Sequence, residues 1–286
     1  VSRGKVATTV GYERRFNDAL RIKKEERFIK YMDDDQPLKP ANILNIVAVN
    51  QGKKPLTLET PKAKPLSPAT VKALMEDGHI VVDARSSAAF GAGHLPGAIN
   101  VQLSGSEFEQ RVGWMTPDDA PLILVTDSAA EAQTAIIKMA FVALDSQVVG
   151  YLDGGIKAWM GAGNPLQTVG QMDVFTLHHK LQTNGLQVLD VRKDDEWDEG
   201  HIEVAHFMPF TSLVPQVTGP ARIDELPFNL EQSIAITCAT GQRSSTAASI
   251  MLRHGYKTVY NVTGGMTAWE DANFPMIDGD GNVCSV

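Results

Sequence analysis

One cysteine of this chain stands directly after an apolar run and at the head of a short polar loop. The segment reads TCATGQRSST over residues 237–246, so four residues separate Cys238 from Arg243. A thiol reacts as a nucleophile in its thiolate form, which requires a lowered pKa at neutral pH. Inward-pointing loop N–H groups, a helix that begins near Arg243, and the arginine itself would all stabilise such an anion. The loop therefore predicts an activated cysteine that holds an anion.

A structural cysteine is the competing interpretation, because unpaired cysteines are commonly buried as small apolar residues. Gly241 favours the reactive interpretation, since glycine adopts the dihedral angles that a tightly curled loop requires. Arg243 and the hydroxyl residues after it favour it as well, because they would start a helix whose N-terminus faces the thiol.

The elements that position this loop occur twice in the chain. IVVDARSSAAFGAGHLPGAI at 80–99 resembles QVLDVRKDDEWDEGHIEVAH at 187–206, so that Asp83 matches Asp190 at a distance of 107 residues. YLDGGIKAWMGAGNPL and NVTGGMTAWEDANFPM form a second matched pair, with Trp159 and Trp269 in equivalent places. A period of this length indicates two copies of one domain rather than a solenoid.

Each copy alternates short apolar strands with helical segments, which predicts an α/β fold with a mainly parallel sheet flanked by helices. Reactive groups of such sheets lie at the carboxyl ends of strands, where Cys238 is placed. The predicted domains are an N-terminal extension and linker at 1–65, a first copy at 66–170 and a second copy at 171–286.

Composition limits the function classes. The chain has 286 residues, a net charge of −8 and 43% hydrophobic residues. An acidic chain without basic clusters is not expected to bind nucleic acid. No apolar run is long enough to span a membrane, and no secretory signal opens the sequence. Two cysteines form no disulfide framework, which favours a reducing cytoplasmic location. A homo-oligomer is compatible with these features.

Together, the DxR…GH blocks, the CATGQRS loop and the GGxxAW motifs resemble the rhodanese-like sulfurtransferases, as a tandem pair over residues 66–286. This resemblance implies that Cys238 is the catalytic residue, which accepts a sulfane sulfur as a persulfide and passes it to a nucleophile. It implies no cofactor and no metal. The loop that would hold the persulfide and bind substrate then comprises Ala239, Thr240, Gly241, Gln242 and Ser244, with Arg243 as the second catalytic residue.

The length and charge of the cysteine loop indicate which reaction and which sulfur donor the resemblance implies. Related phosphatases have one more residue between cysteine and arginine, so the four residues found here favour sulfur transfer. Ala239 stands where many members of the family carry a basic residue, which leaves the donor open between thiosulfate and a low-molecular-weight persulfide. The acceptors implied are a thiol, sulfite or cyanide, so the expected partners are small sulfur-containing substrates.

The first copy lacks this chemistry. Its segment LILVTDSAAEAQ at 122–133 corresponds to the cysteine loop, and the alignment predicts Asp127 at the cysteine position, without a following arginine. This copy is therefore expected to be a scaffold or a docking surface. In the second copy, Asp190, Arg192 and His201 are interpreted as architectural residues that form a buried ion pair and a turn.

Residues 1–65 match neither copy. The segments GYERRFNDAL, KKEERFIKYM and LETPKAKPLSP resemble the C-terminal end of metallo-β-lactamase-fold persulfide dioxygenases and hydrolases that carry rhodanese domains. That family holds its metal with an HxHxDH-type cluster, which this sequence lacks, so the resemblance predicts a remnant without metal. A helical extension packed on the first copy is the alternative. The competing function is a non-catalytic docking or regulatory module for such an enzyme.

Cys284 lies in the tail DGDGNVCSV, whose Gly and Asp content is typical of a chain end with little structure. Two interpretations are open: an incidental thiol, or a resolving thiol that attacks the Cys238 persulfide.

Overall fold

This computed structural model describes residues 7–33, 39–183, 186–217 and 219–284. The fold is built on two parallel sheets of five strands each. The first sheet has the order β1-β5-β4-β2-β3 and the second has the order β6-β10-β9-β7-β8. The two orders are identical when counted within each sheet, which confirms two copies of one α/β domain. The strands are β1 Pro65–Leu66, β2 Ile80–Asp83, β3 Ile99–Asn100, β4 Leu122–Val125, β5 Val148–Leu152, β6 Gly170–Met172, β7 Gln187–Asp190, β8 Ala205–Phe207, β9 Ser233–Thr237 and β10 Thr258–Val262.

Helices connect these strands and cover both faces of each sheet. The central strand β4 is buried along its whole length, as expected for a parallel strand with helices on both sides. The helices are α1 Val10–Phe16, α2 Asp18–Arg21, α3 Glu25–Asp33, α4 Ile43–Asn50, α5 Pro68–Glu76, α6 Ser87–Ala92, α7 Phe108–Met115, α8 Ala129–Ala140, α9 Gly155–Gly161, α10 Val174–Thr183, α11 Asp194–Glu199, α12 Gln242–Arg253 and α13 Gly265–Asp271.

The chain divides into two compact units, residues 1–39 and 40–286. Helices α1 to α3 form the described part of the first unit. In the second unit, the segment around α4 packs on the first copy: the side-chain amide of Asn42 donates to the Val142 carbonyl at 3.0 Å, and that of Asn45 donates to the Ala143 carbonyl at 2.8 Å. This part of the predicted N-terminal extension therefore belongs to the body that holds both sheets.

A buried ion pair follows the second strand of each sheet. Arg85 binds Asp83 and donates to the Gly93 carbonyl at 2.9 Å. Arg192 binds Asp190 at 2.8 Å and donates to the Gly200 carbonyl at 2.6 Å. Each arginine thus ties the end of a strand to the end of the helix after it, which agrees with the architectural role predicted for this pair.

The strand registers correct the alignment of the two loops. Asp83 pairs with Val125 in the first sheet, and Asp190 pairs with Thr237 in the second. The residue equivalent to Cys238 is therefore Thr126, and the prediction of Asp127 at that position was wrong by one residue. The loop of the first copy is one residue shorter, because α8 begins three residues after Thr126 whereas α12 begins four residues after Cys238.

The two copies meet at Asn100, the last residue of β3, which is fully buried. Ser245 donates to its side-chain oxygen at 2.6 Å, Thr246 donates to its carbonyl at 2.7 Å, and its N–H donates to Ser249 at 3.1 Å. The hydroxyl residues of α12 thus dock the loop helix of the second copy onto the sheet of the first.

Within the described residues, every helix is too short or too polar to cross a membrane.

Candidate active site at the cysteine loop

Cys238 lies at the carboxyl end of β9, the middle strand of the second sheet. The chain then turns through Ala239 and Thr240 to Gly241, whose φ of +93° lies in the left-handed region that favours glycine. Helix α12 starts at the next residue, as the sequence predicted to within one position. Its free N–H groups and its dipole place positive potential at the cysteine.

The loop curls around the cysteine sulfur. The N–H of Gly241 donates to the Cys238 Sγ at 3.2 Å. In the described chain, the N–H groups of Ala239, Thr240 and Arg243 make no hydrogen bond. The predicted anion-binding nest requires loop N–H groups without partners of this kind.

The loop carbonyls are directed away from the nest and accept hydrogen bonds from the start of α13. Met266 N–H donates to the Cys238 carbonyl at 2.7 Å, and Thr267 N–H donates to the Ala239 carbonyl at 3.0 Å. A Cβ at Gly265 would lie 2.2 Å from the Cys238 carbonyl oxygen. Glycine is therefore needed at Gly265, the first residue of α13, because the loop backbone packs against it.

Ser244 contacts the sulfur from the side of the helix. Its Oγ lies 3.3 Å from the Cys238 Sγ and donates to Asn261 Oδ1 at 2.6 Å. The Asn261 side-chain N–H in turn donates to Gln171 Oε1 at 3.0 Å, which fixes the orientation of the amide. Because Ser244 gives its single hydrogen to Asn261, it accepts from the Cys238 thiol in this arrangement. Ser244 is fully buried behind the sulfur.

The guanidinium of Arg243 is held by a carboxylate that was not predicted from the sequence. Two hydrogen bonds of 2.6 Å join it to Glu196 on α11. Burial alone would raise the pKa of Glu196, but the hydrogen bonds from Arg243 and from the Lys193 N–H lower it overall. Burial would lower the pKa of Arg243, and the bonds to Glu196 followed by the charge of Cys238 raise it overall.

The repeat itself carried a signal for this carboxylate. Alanine replaces both partners in the first copy, where Ala89 aligns with Glu196 and Ala130 occupies the second position of the helix, as Arg243 does. A pair that is present together in one copy and absent together from the other indicates mutual contact.

A cleft of about 660 Å³ lies between the two copies over the loop. From the second copy, Thr240, Gln242 and Arg243 line it; from the first, α7 and the segment before it contribute Glu107 and Arg111. Among the predicted site residues, Ala239, Gly241 and Ser244 are not part of this lining. Cys238 is only 1% exposed, so the loop separates its sulfur from the cleft.

The equivalent loop of the first copy is occupied by its own carboxylate. Glu131 is the third residue of α8, and its Oε2 accepts from the Asp127 N–H at 2.9 Å. The Thr126 hydroxyl donates to the Ser128 carbonyl at 2.8 Å. An internal anion thus uses the loop N–H, and no thiol is present at Thr126, which supports the prediction that this copy lacks the chemistry.

Cys284 packs at the far end of α11. Its Sγ lies 3.8 Å from the Glu199 carbonyl oxygen, next to Gly200. Both cysteines are free. Within the described residues, no group of three or more His, Cys, Asp or Glu side chains is arranged to hold a metal ion.

Comparison with known proteins identifies the same two copies. A family model described as "Rhodanese-like domain" matches residues 67–162 and 175–272. Thiosulfate sulfurtransferase 18 of Arabidopsis thaliana is 35% identical over 116 residues, which cover 38% of this chain and 85% of that protein. A tRNA uridine(34) hydroxylase of Yersinia pestis is 35% identical over 78 residues, which cover 27% of this chain and 21% of that protein.

Among solved structures, the crystal structure of a thiosulfate sulfurtransferase from Pseudomonas aeruginosa aligns with 78% of this chain at 19% identity and a TM-score of 0.34. The aligned part covers 45% of that protein, so this chain spans less than half of its length.

Proposed function

Because this chain belongs to the rhodanese-like domain family, we propose that its second copy is a sulfurtransferase that carries sulfane sulfur as a persulfide on Cys238. The observation that carries the proposal is the hydrogen bond from the Gly241 N–H to the Cys238 Sγ, at the N-terminus of α12. Backbone donors and a helix N-terminus around a thiol favour the thiolate and any anion attached to it.

The reaction proceeds in two displacements at sulfur. The Cys238 thiolate attacks the outer sulfur of the donor, the donor S–S bond breaks, and the electron pair leaves with sulfite or a thiolate. Cys238 then carries one additional sulfur as a persulfide anion. An acceptor thiolate, sulfite or cyanide attacks that outer sulfur and regenerates the Cys238 thiolate, so no external oxidant or reductant is consumed.

The unpaired loop donors suit the persulfide intermediate. The terminal sulfur bears negative charge, and the N–H groups of Ala239, Thr240, Gln242 and Arg243 are the donors proposed to bind it. Gly241 provides the turn that directs these groups inward, and Ser244 contacts the sulfur that stays on the chain. The guanidinium of Arg243 adds a positive charge that Glu196 orients and partly offsets.

The proposed donors are thiosulfate and low-molecular-weight persulfides. A relative named thiosulfate sulfurtransferase supports the first. The mixed charge of the cleft supports the second: in its described lining, Arg111, Lys193 and Arg243 face Glu107, Asp195 and Glu196. A balanced set of charges matches a zwitterionic thiol persulfide better than a small dianion.

Intact-mass measurement after incubation with thiosulfate or glutathione persulfide tests the proposal. We expect the mass of one sulfur atom to be added, peptide mapping to place it on Cys238, and cyanide to remove it. Cys238→Ser should abolish the adduct and turnover, while Cys284→Ser should retain both. An adduct confined to Cys284, or none from either donor, would refute the assignment.

A non-catalytic docking or regulatory module, for example for a metallo-β-lactamase-fold persulfide dioxygenase or hydrolase, is the second candidate. The 1% exposure of Cys238 favours it, because a nucleophile must reach its substrate. The mass experiment separates the two, since a docking module would leave Cys238 unmodified by either donor.

We further propose domain limits of 66–170 and 171–286, which the first strands of the two sheets support to within one residue: β1 begins at Pro65 and β6 at Gly170. The two free cysteines support the proposed cytoplasmic location. The proposal that residues 1–65 are a remnant of a metallo-β-lactamase-fold domain rests on their sequence alone.

A further inference from the structure

Arg111 is a buried cation to which the proposed reaction assigns no contact with the donor. It lies on α7 of the first copy and is 7% exposed. Its ion-pair partner is Glu107, a mostly exposed side chain whose Oε2 lies 3.6 Å from Arg111 Nη2, beyond ordinary hydrogen-bond length. Within the described residues, Arg111 Nε is buried and has no hydrogen-bond partner. A buried guanidinium N–H without an acceptor is costly, and Glu107 gives this guanidinium only a long, exposed contact, which indicates a site that receives an acceptor.

The position of Arg111 connects it with the cysteine loop of the other copy. It lines the cleft together with Thr240, Gln242 and Arg243. The segment before α7 approaches the loop closely, since a Cβ at Gly105 would lie 3.0 Å from Gln242 Oε1. Burial lowers the pKa of Arg111, and the charges of Glu107 and then Cys238 oppose this effect. Arg111 is therefore within electrostatic range of the cysteine.

The other cations of the cleft are less suited than Arg111 to bind an oxyanion through two hydrogen bonds. Two 2.6 Å hydrogen bonds to Glu196 already engage Arg243. Lys193 is exposed, so its ammonium is hydrated and presents no fixed fork of donors. The loop position after the cysteine is Ala239, which carries no charge. Among these cleft residues, the guanidinium available for a bidentate contact is that of Arg111, from the first copy.

We propose that Arg111 binds an oxyanion group of the sulfur donor, so that the copy without a cysteine supplies the anion-binding subsite for the copy that has one. The group is a carboxylate when the donor is a small-thiol persulfide and the sulfonate when it is thiosulfate. Two parallel hydrogen bonds from a guanidinium match the geometry of either oxyanion. The role of this subsite in a reaction rests on the proposed function. Anion binding by Arg111 can be measured without any sulfur transfer.

A binding experiment isolates the subsite from the chemistry. Calorimetry on Cys238→Ser protein would use thiosulfate and S-methylglutathione, which has carboxylates but no sulfur to transfer. We expect at least one of the two to bind, and Arg111→Gln to weaken it about tenfold or more, as expected for loss of a charged hydrogen-bonded contact. The probe that is affected identifies the source of the oxyanion. No binding of either probe, or unchanged affinity for both, would overturn the proposal.

Kinetics on the protein with its cysteine intact provide the second test. Arg111→Gln should raise KM for glutathione persulfide or thiosulfate about tenfold while leaving kcat nearly unchanged. KM for the persulfide of 2-mercaptoethanol, which has no carboxylate or sulfonate, should not change. Arg111→Lys, which keeps the charge but loses the fork, should give an intermediate KM. Arg222→Gln removes an exposed arginine outside the cleft and is the matched control.

An equal rise of KM for donors with and without an oxyanion group would mean that Arg111 only supports the fold, and would overturn the subsite. Failure of the proposed function looks different: no donor would then modify Cys238 in the unmutated chain, whatever the calorimetry shows for Arg111.

Discussion

Glu196 and Arg243 are joined by two hydrogen bonds of 2.6 Å that connect α11 to the first turn of α12. The sequence predicted that Arg243 is a positive charge directed at the cysteine. In the structure its guanidinium is oriented, and its charge partly compensated, by a carboxylate. A guanidinium whose charge is partly compensated attracts an anion in the loop less strongly than an unpaired one would.

Replacing Glu196 by Gln should make the cysteine loop more positive. The amide retains the shape and one hydrogen-bond acceptor but removes the compensating charge from Arg243. We expect the pH dependence of Cys238 alkylation by iodoacetamide to move down by about one pH unit, the scale of one nearby charge. Glu199→Gln, at the exposed end of the same helix, is the control. An unchanged profile in Glu196→Gln would show that Arg243 does not act on the thiol.

Ser244 and Asn261 should behave as one unit. Ser244→Ala leaves the buried Asn261 Oδ1 without its donor, so we expect the free energy of unfolding to fall by about 1–3 kcal/mol. Denaturant titration would measure this. The double variant Ser244→Ala/Asn261→Leu should lose less unfolding free energy than the sum of the losses in the two single variants, because each single change already removes the same Ser244–Asn261 hydrogen bond. If the losses of unfolding free energy from the two single changes simply added, Ser244 and Asn261 would not be coupled.

Asn100 should matter for activity although it lies in the copy without a cysteine. Asn100→Ala removes the side-chain acceptor for Ser245 and the two side-chain donations to the Asp83 and Arg85 carbonyls. We expect a loss of about 3 kcal/mol or more in unfolding free energy, because several buried polar groups lose partners.

The same change should also lower kcat for the proposed sulfur transfer, since α12 begins at the cysteine loop. The exposed Asn282→Ala is the control. Stability loss with unchanged kcat would show that the contact between the copies does not position the loop.

His94 should make the fold sensitive to acid. Burial lowers its pKa from 6.5 to about 4, although the hydrogen bond to the Phe90 carbonyl opposes this shift. Between these pH values the unfolded chain binds a proton that the folded chain does not, so stability falls as pH decreases from 6.5 towards 4. At pH 4, titration of His94 should lower the free energy of unfolding by about 3 kcal/mol.

His94→Asn retains a donor to the Phe90 carbonyl and removes the titration. Its unfolding free energy, measured against pH, should fall less steeply than that of the unmutated chain over this range. Parallel curves would contradict the role of His94.

The amino-acid sequence by itself determined the duplication, the α/β class and the position of Cys238 after a buried strand. These features depend on short-range patterns: apolar runs, helix starts, glycine turns and motifs that recur at a fixed spacing. The ion pair of Asp190 and Arg192 was also predictable, because its partners are two residues apart and repeat in the first copy as Asp83 and Arg85.

Tertiary structure decided which residues share the site. The contact between Glu196 and Arg243 spans 47 residues, and that between Ser245 and Asn100 spans 145. Arg111 lines the cleft over the loop only because the two copies pack against each other. Such contacts depend on how whole sheets and helices dock, which local propensity does not encode.

Strand pairing also decided which residue of the first copy is equivalent to Cys238. The strand ends LILV and IAIT match without a gap, and the backbone hydrogen bonds of the sheet fix this register, so Thr126 rather than Asp127 follows the strand at that position.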